Sequence, residues 1–235
     1  TDDAIYIENG NFAIMSKNEF KILNFYGEPV KYQITKVSKE FADSYKGEYA
    51  HYTLKEIYEQ NETILKAGER SEEAIIKAAD FIKHAKNVYV TGSGTSYNSA
   101  LIAKHIFSKY AKIKVETIMS SELQFSPDII EPNSILIAIS QSGESADVLE
   151  AVNMAKNLKC KIISIVNLLT SSLVRESDIA IGMNCGPEIG VAATKSFTSQ
   201  LAILFKIIEK LSNNIVKIDF EEMSRSISKM LEERN

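Results

Sequence analysis

Apolar and polar positions change period along the chain. Up to about residue 37 they alternate in short runs, the period of half-buried strands. Ile5-Tyr6-Ile7 and Phe12-Ala13-Ile14 flank Asn9-Gly10. Both turn residues accept positive φ, which predicts a hairpin closed there. Ile22-Leu23 and Tyr32-Gln33-Ile34 flank a second turn around Gly27 and Pro29. So small a meander has little apolar surface of its own, which predicts the β edge of something larger. Ser38 to Glu48 is polar and reads as a linker.

The period then becomes helical. Thr53 with Glu56 three residues on forms a capping-box pattern, ahead of an apolar face of Leu54, Ile57, Tyr58 and Leu65. Ser71 opens a second helix with Ala74, Ile75, Ala78 and Ile82 facing inward. From Asn87 onward, strand, polar loop and helix repeat. The apolar runs are Val88–Val90, Ile113–Ile118, Ile135–Ile139, Ile162–Val166 and Ile179–Met183. Ile135–Ile139 is the most apolar and suits a central strand buried on both faces. Helices lie between the runs, and a long one carries Phe197, Leu201, Leu204, Phe205, Ile208 and Leu211. This alternation predicts an α/β fold, a five-stranded parallel sheet flanked by helices. A last helix over 219–233 aligns Phe220, Met223, Ile227, Met230 and Leu231.

Composition narrows the class. The 235 residues are 45% apolar and 25% charged, ordinary values for a globular chain. There is no apolar stretch long enough to span a bilayer and no signal-peptide pattern at the start, so no membrane partner is expected. The chain begins with Thr rather than Met and reads as a fragment or processed product. Cys160 and Cys185 are its two cysteines, too few for a disulfide framework, which favours a reducing, cytoplasmic setting. A net charge of -4 without a dense basic cluster disfavours nucleic acid as a partner.

Candidate chemistry sits in two loops, Gly92-Ser93-Gly94-Thr95-Ser96-Tyr97-Asn98-Ser99 and Ser140-Gln141-Ser142-Gly143-Glu144-Ser145. Each leaves a strand and enters a helix. Small residues admit close backbone approach, and free N–H groups with the helix dipole favour an anion. The hydroxyls of Thr95, Ser96, Ser140, Ser142 and Ser145 add neutral donors, enough to hold a phosphate monoester without a lysine. Such residues also serve as plain caps and turns. A dinucleotide fingerprint fails because Tyr97 stands where its third glycine belongs, and no P-loop follows. His51, His84 and His105 lack metal-ligand spacing, and no metal or cofactor is implied. Cys185 lies in a loop open to exposure, with no base nearby in sequence to activate it. Glu188 and Lys195, at the entry to the long helix, read either as site residues or as groups that suit the dipole or solvent.

Four motifs in order carry a resemblance: Gly94–Ser99, Ser140–Asp147, Ser171–Asp178 and Glu188–Lys195. They resemble the first sugar-isomerase (SIS) domain of the glucosamine-6-phosphate synthases, which are glutamine–fructose-6-phosphate aminotransferases (isomerising). His51–Gln60 is similar to the segment that joins the glutaminase domain of that family to its isomerase half. The resemblance implies a SIS-type, flavodoxin-like sandwich over 46–215. It implies a remnant of the glutaminase domain with its linker over 1–45, and a helix leading to a second SIS domain over 216–235. It also implies a hexose 6-phosphate ligand (fructose 6-phosphate or glucosamine 6-phosphate) and a homodimer. By the same resemblance Thr95, Ser96, Ser140, Gln141, Ser142 and Ser145 bind the sugar phosphate, and Val191 contacts the sugar through its backbone. Ser93 stands where the family commonly has Cys, and Ala193 where it often has Ser. The family's glutamine-attacking cysteine and its isomerase acid–base residues have no match here. The resemblance therefore implies binding without turnover, with Glu188 the one candidate catalytic carboxylate. A stand-alone SIS-type isomerase and a sugar-phosphate-sensing regulatory domain are the alternatives.

Overall fold

Strand and helix follow one another much as the apolar runs predict. The computed structural model describes residues 3–36, 46–212 and 215–233; most of the expected linker, 38–45, lies outside them. Two units divide the chain, Thr1–Asp43 and Ser44–Asn235.

The first unit holds β1 (Asp3–Ala4), β2 (Asn11–Met15), β3 (Phe20–Asn24) and β4 (Thr35–Lys36). β2 pairs antiparallel with β3, Met15 opposite Phe20, and β1 pairs with β4. The hairpin therefore closes through the polar residues 16–19, where Ser16 N–H donates to the Glu19 carbonyl at 2.8 Å. This corrects the expectation of a hairpin at Asn9-Gly10. That pair does turn the chain, with Gly10 at φ +87°. The Gly10 carbonyl, however, accepts from Phe25 N–H at 3.1 Å, and Ile5–Ile7 lies outside any strand. The second turn closes as expected, with Leu23 bridged to Pro29, but Tyr32–Ile34 forms no strand.

The second unit begins with α1 (Tyr52–Tyr58), α2 (Gln60–Lys66) and α3 (Glu72–His84). β5 (Val88–Gly92), α4 (Thr95–Ile106), β6 (Val115–Met119), the short α5 (Ser120–Leu123), β7 (Ile135–Ser140) and α6 (Ala146–Asn157) follow. β8 (Lys161–Val166), the short α7 (Ser172–Arg175), β9 (Ile179–Gly182), α8 (Lys195–Leu211) and α9 (Phe220–Glu232) complete it. The five strands pair in parallel in the order β6-β5-β7-β8-β9. β7 is central and buried at all six positions, as its continuous apolar run requires.

Alternation along each strand sorts the core into two layers. Val88, Val90, Ile135, Ile137, Ile139, Ile163 and Ile165 pack under α3, α4 and α8. Tyr89, Leu136, Ala138 and Ile162 pack on the opposite face under α6 and α7. The helices after β5 and β7 thus lie on opposite faces of the sheet. With strands taken in chain order the sheet reads 2-1-3-4-5, and the order reverses between β5 and β7. That reversal opens a crevice beyond their carboxyl ends, where ligands bind in doubly wound sheets.

The capping-box expectation at Thr53 and Glu56 does not hold. α1 starts two residues earlier than that pattern allows, with His51 in extended backbone before it and no side chain capping it. Glu56 is only 2% exposed, and its carboxylate reaches instead to the loop before α8. α9 does carry a side-chain cap: Asp219 Oδ1 accepts from Glu222 N–H at 2.8 Å. Among the described residues, no helix is long and apolar enough to cross a membrane.

Candidate functional site

Gly92 ends β5 and pairs with Ile139 of β7, so the two hydroxyl-rich loops leave neighbouring strands at the switch point. The first turns directly into α4. Gly94 precedes that helix at φ +55°, ψ −127°, a conformation open essentially to glycine alone. Ser96 N–H bonds the Ser93 carbonyl at 3.1 Å and Tyr97 N–H the Gly94 carbonyl at 3.0 Å, which tightens the first turn. No side chain caps α4, and its first turn holds no acidic residue. Its positive end is therefore presented to the crevice without an internal anion. Ser93 is bonded sideways, its hydroxyl 2.6 Å from that of Ser120 at the start of α5.

The second loop is braced from within. Ser140 is buried and its Oγ accepts from Gly143 N–H at 3.1 Å. Ser142 is exposed, and its Oγ accepts from Glu144 N–H at 3.2 Å. Both hydroxyls therefore accept a backbone bond and retain a proton to donate. Gly143 sits at φ +68°, and a Cβ there would lie 2.1 Å from Ser171 Oγ, so only glycine fits. The Gln141 carbonyl accepts from Asn167 N–H at 3.1 Å, which ties the loop to the end of β8. Ser145 precedes α6 with extended backbone, and its side chain does not cap that helix. The nearby Glu144 carboxylate is engaged by Ser172 N–H at 2.7 Å.

A third loop, residues 183–194, leaves β9 at the same edge. Asn167, at the end of β8, holds its start: Nδ2 donates to the Gly186 carbonyl at 2.7 Å, and Oδ1 accepts from Cys185 N–H at 3.2 Å. α1 holds its middle. Glu56 Oε1 accepts from Ile189 N–H at 2.5 Å and Gly190 N–H at 3.0 Å. A Cβ on Gly190 would fall 2.5 Å from both Glu56 Oε2 and Thr53 Oγ1. Glu188 ends the loop: its Oε1 accepts from Thr194 N–H at 3.0 Å and Ser196 N–H at 3.1 Å, and its Oε2 takes the Ser196 hydroxyl. That is a capping role at the positive end of α8. Lys195 is buried rather than solvated, and its Nζ lies 2.6 Å from Glu59 Oε2. Val191 is left fully exposed at the tip, its backbone held between the Glu56 and Glu188 anchors.

Cys185, expected in an open position, is 3% exposed. Burial, with the Glu188 charge adding to it, pushes its thiol up to about 12, so it is inert rather than nucleophilic. Cys160 is buried as well, and burial raises its thiol too. The structure thus gathers five hydroxyl residues and Gln141 on two adjacent loops, with Val191 on a third. The anchoring roles of Glu56 and Glu59 carry no local sequence signal, because their partners lie more than a hundred residues away.

Together these features define a doubly wound α/β domain with two hydroxyl-bearing loops side by side at its switch point. Residues 81–208 match the SIS domain family, and the chain belongs to that family. It is 37% identical over 212 residues to glutamine–fructose-6-phosphate aminotransferase (isomerizing) of Thermotoga maritima, over 87% of this chain and 35% of that protein. The enzyme of the same name from Pyrococcus horikoshii is 35% identical, over 99% of this chain and 39% of that protein. Among solved structures, the C-terminal domain of glucosamine-fructose-6-phosphate aminotransferase from Francisella tularensis matches with a TM-score of 0.64 and 34% identity. That match covers 80% of this chain and 56% of the other. The chain spans little more than a third of the length of the two aminotransferases.

Proposed function

We propose that this chain is the sugar-phosphate-binding part of the isomerase half of an enzyme that makes glucosamine 6-phosphate from fructose 6-phosphate and glutamine. The observation that carries the reading is the pair of hydroxyl loops at the switch point, each entering a helix whose N-terminus no side chain caps. The ligand is a hexose 6-phosphate. Its phosphate takes hydrogen bonds from Thr95, Ser96, Ser140, Gln141, Ser142 and Ser145. Its sugar lies toward Val191, whose backbone the Glu56 and Glu188 anchors hold in place. Each bond to the phosphate is charge-assisted, and several together replace a lysine.

In this reading residues 1–45 are the closing part of a glutaminase domain with its linker, 46–215 the first SIS domain, and 216–235 the helix leading to a second one. The enzyme is cytoplasmic and acts as a homodimer, with the ammonia-releasing and proton-transferring groups on other parts of the protein. The similarity to the aminotransferases supports this reading over a stand-alone isomerase or a regulatory sensor. The purified chain should bind fructose 6-phosphate more tightly than fructose or inorganic phosphate and should not interconvert hexose phosphates. Catalytic turnover by the isolated chain would overturn it in favour of a complete small isomerase.

A further inference from the structure

The Ser96 hydroxyl, at the mouth of the crevice, has a partner that fixes which way its proton points. Gln200, on the second turn of α8, is 1% exposed. Its Nε2 lies 3.1 Å from Ser96 Oγ, and its Oε1 lies 2.6 Å from Ser99 Oγ. The shorter length is that of an O–H···O bond and the longer that of an N–H···O bond. Ser99 is fully buried, and its single proton goes to the Gln200 carbonyl. Gln200 can then offer Ser96 only an N–H. Ser96 Oγ accepts it and keeps its own proton, with no other hydrogen-bond partner among the described residues. Accepting one bond also makes the O–H a stronger donor.

We propose that Gln200 is a positioning residue that commits the Ser96 hydroxyl to donate outward, so that the first loop favours a strong acceptor oxygen, as on a phosphate dianion. The inference rests on the sugar-phosphate reading above and deepens it. A serine free to rotate could equally accept from a sugar hydroxyl or a water. With Gln200 occupying one lone pair, its proton is left for an acceptor, and a phosphate oxygen is a stronger acceptor than either. The chain from Ser99 through Gln200 to Ser96 links α4 to α8, so the helix that begins after the Val191 loop also sets the polarity of the phosphate loop.

The test is a double-mutant cycle read by calorimetric titration of the full chain with fructose 6-phosphate. Gln200→Met and Ser96→Ala should each weaken binding by about tenfold. The double variant should bind no more weakly than Ser96→Ala, because Gln200 acts only through that hydroxyl. Gln200→Glu supplies a second readout should the Met variant fold poorly. The introduced carboxylate, when ionised, would accept the Ser96 proton and reverse it, whereas its protonated form could donate as the amide does. The ratio of this variant's Kd to that of the unaltered chain should be largest at about pH 8 and shrink towards one at about pH 5. Additive losses in the cycle, or a ratio flat with pH, would mean that Gln200 merely supports packing, and would overturn this inference alone. An unaltered chain that fails to bind fructose 6-phosphate would overturn the sugar-phosphate reading, and this inference with it.

Discussion

Replacing Glu56 with alanine tests whether α1 holds the third loop. The carboxylate is 2% exposed and takes the N–H groups of Ile189 and Gly190. Its removal leaves two donors without a partner, each costing about 1–3 kcal/mol when buried. Ile189 is 46% exposed, so its amide can recover a water and falls at the low end of that range. Glu56→Ala should therefore cost roughly 2–4 kcal/mol, a fall in Tm of roughly 5–12 °C for a unit of this size. Glu56→Gln keeps one carbonyl oxygen able to accept both N–H groups, and should cost roughly 1 kcal/mol. Thr53→Ala discriminates further. A working capping box would make that change cost about 1 kcal/mol, whereas in the observed geometry Thr53 caps nothing and the cost should stay within about 0.5 kcal/mol. Thermal and urea unfolding of the three variants measures all of this. Equal, small losses in Thr53→Ala and Glu56→Ala would refute the argument and restore the local capping role.

Other consequences follow from the buried and paired groups. At the Asp178 carboxyl, burial pushes upward, but the Ile162 amide and Lys161 outweigh it and hold the group below its ordinary range. A depressed folded value adds stability above the unfolded pKa of about 3.9, and that stability is lost as pH falls through the folded value. Asp178→Asn should thus be less stable than the unaltered chain at neutral pH, with the Tm gap closing below about pH 4; a gap constant with pH would contradict the pairing. Cys185, raised to about 12, should resist iodoacetamide at about pH 8 until the chain unfolds. Its labelling should therefore track urea unfolding, and labelling within minutes of the native chain would contradict its burial.

What was legible in the sequence was whatever announces itself locally. β7 could be placed at the centre because Ile135–Ile139 is continuous and apolar, and the structure buries it throughout. The two hydroxyl loops could be placed at strand ends because Gly and Ser interrupt apolar runs there. Local signals mislead where one competes with another. Asn9-Gly10 is a strong turn pair, but the connection over 16–19 sets Met15 directly across from Phe20, and the ladder forms there. Thr53 and Glu56 have capping-box spacing, yet the carboxylate finds its N–H partners 133 and 134 residues away. Gln200 had no signature at all. A glutamine on the polar edge of an amphipathic helix looks solvated until α4 packs over it and brings Ser96 and Ser99 within reach. Backbone periodicity is written in neighbouring residues, whereas buried polar contacts depend on how separate elements meet.

The central claim is that the two loops form one phosphate site. It is tested most directly by titrating the chain and its Ser96→Ala/Ser142→Ala double variant with fructose 6-phosphate, with fructose and inorganic phosphate as controls. Each lost charge-assisted bond is worth about 1–3 kcal/mol, so the double variant, checked to be folded at the titration temperature, should bind at least about thirtyfold more weakly. Equal affinity in the two proteins would place the phosphate elsewhere and reduce both loops to turns and caps.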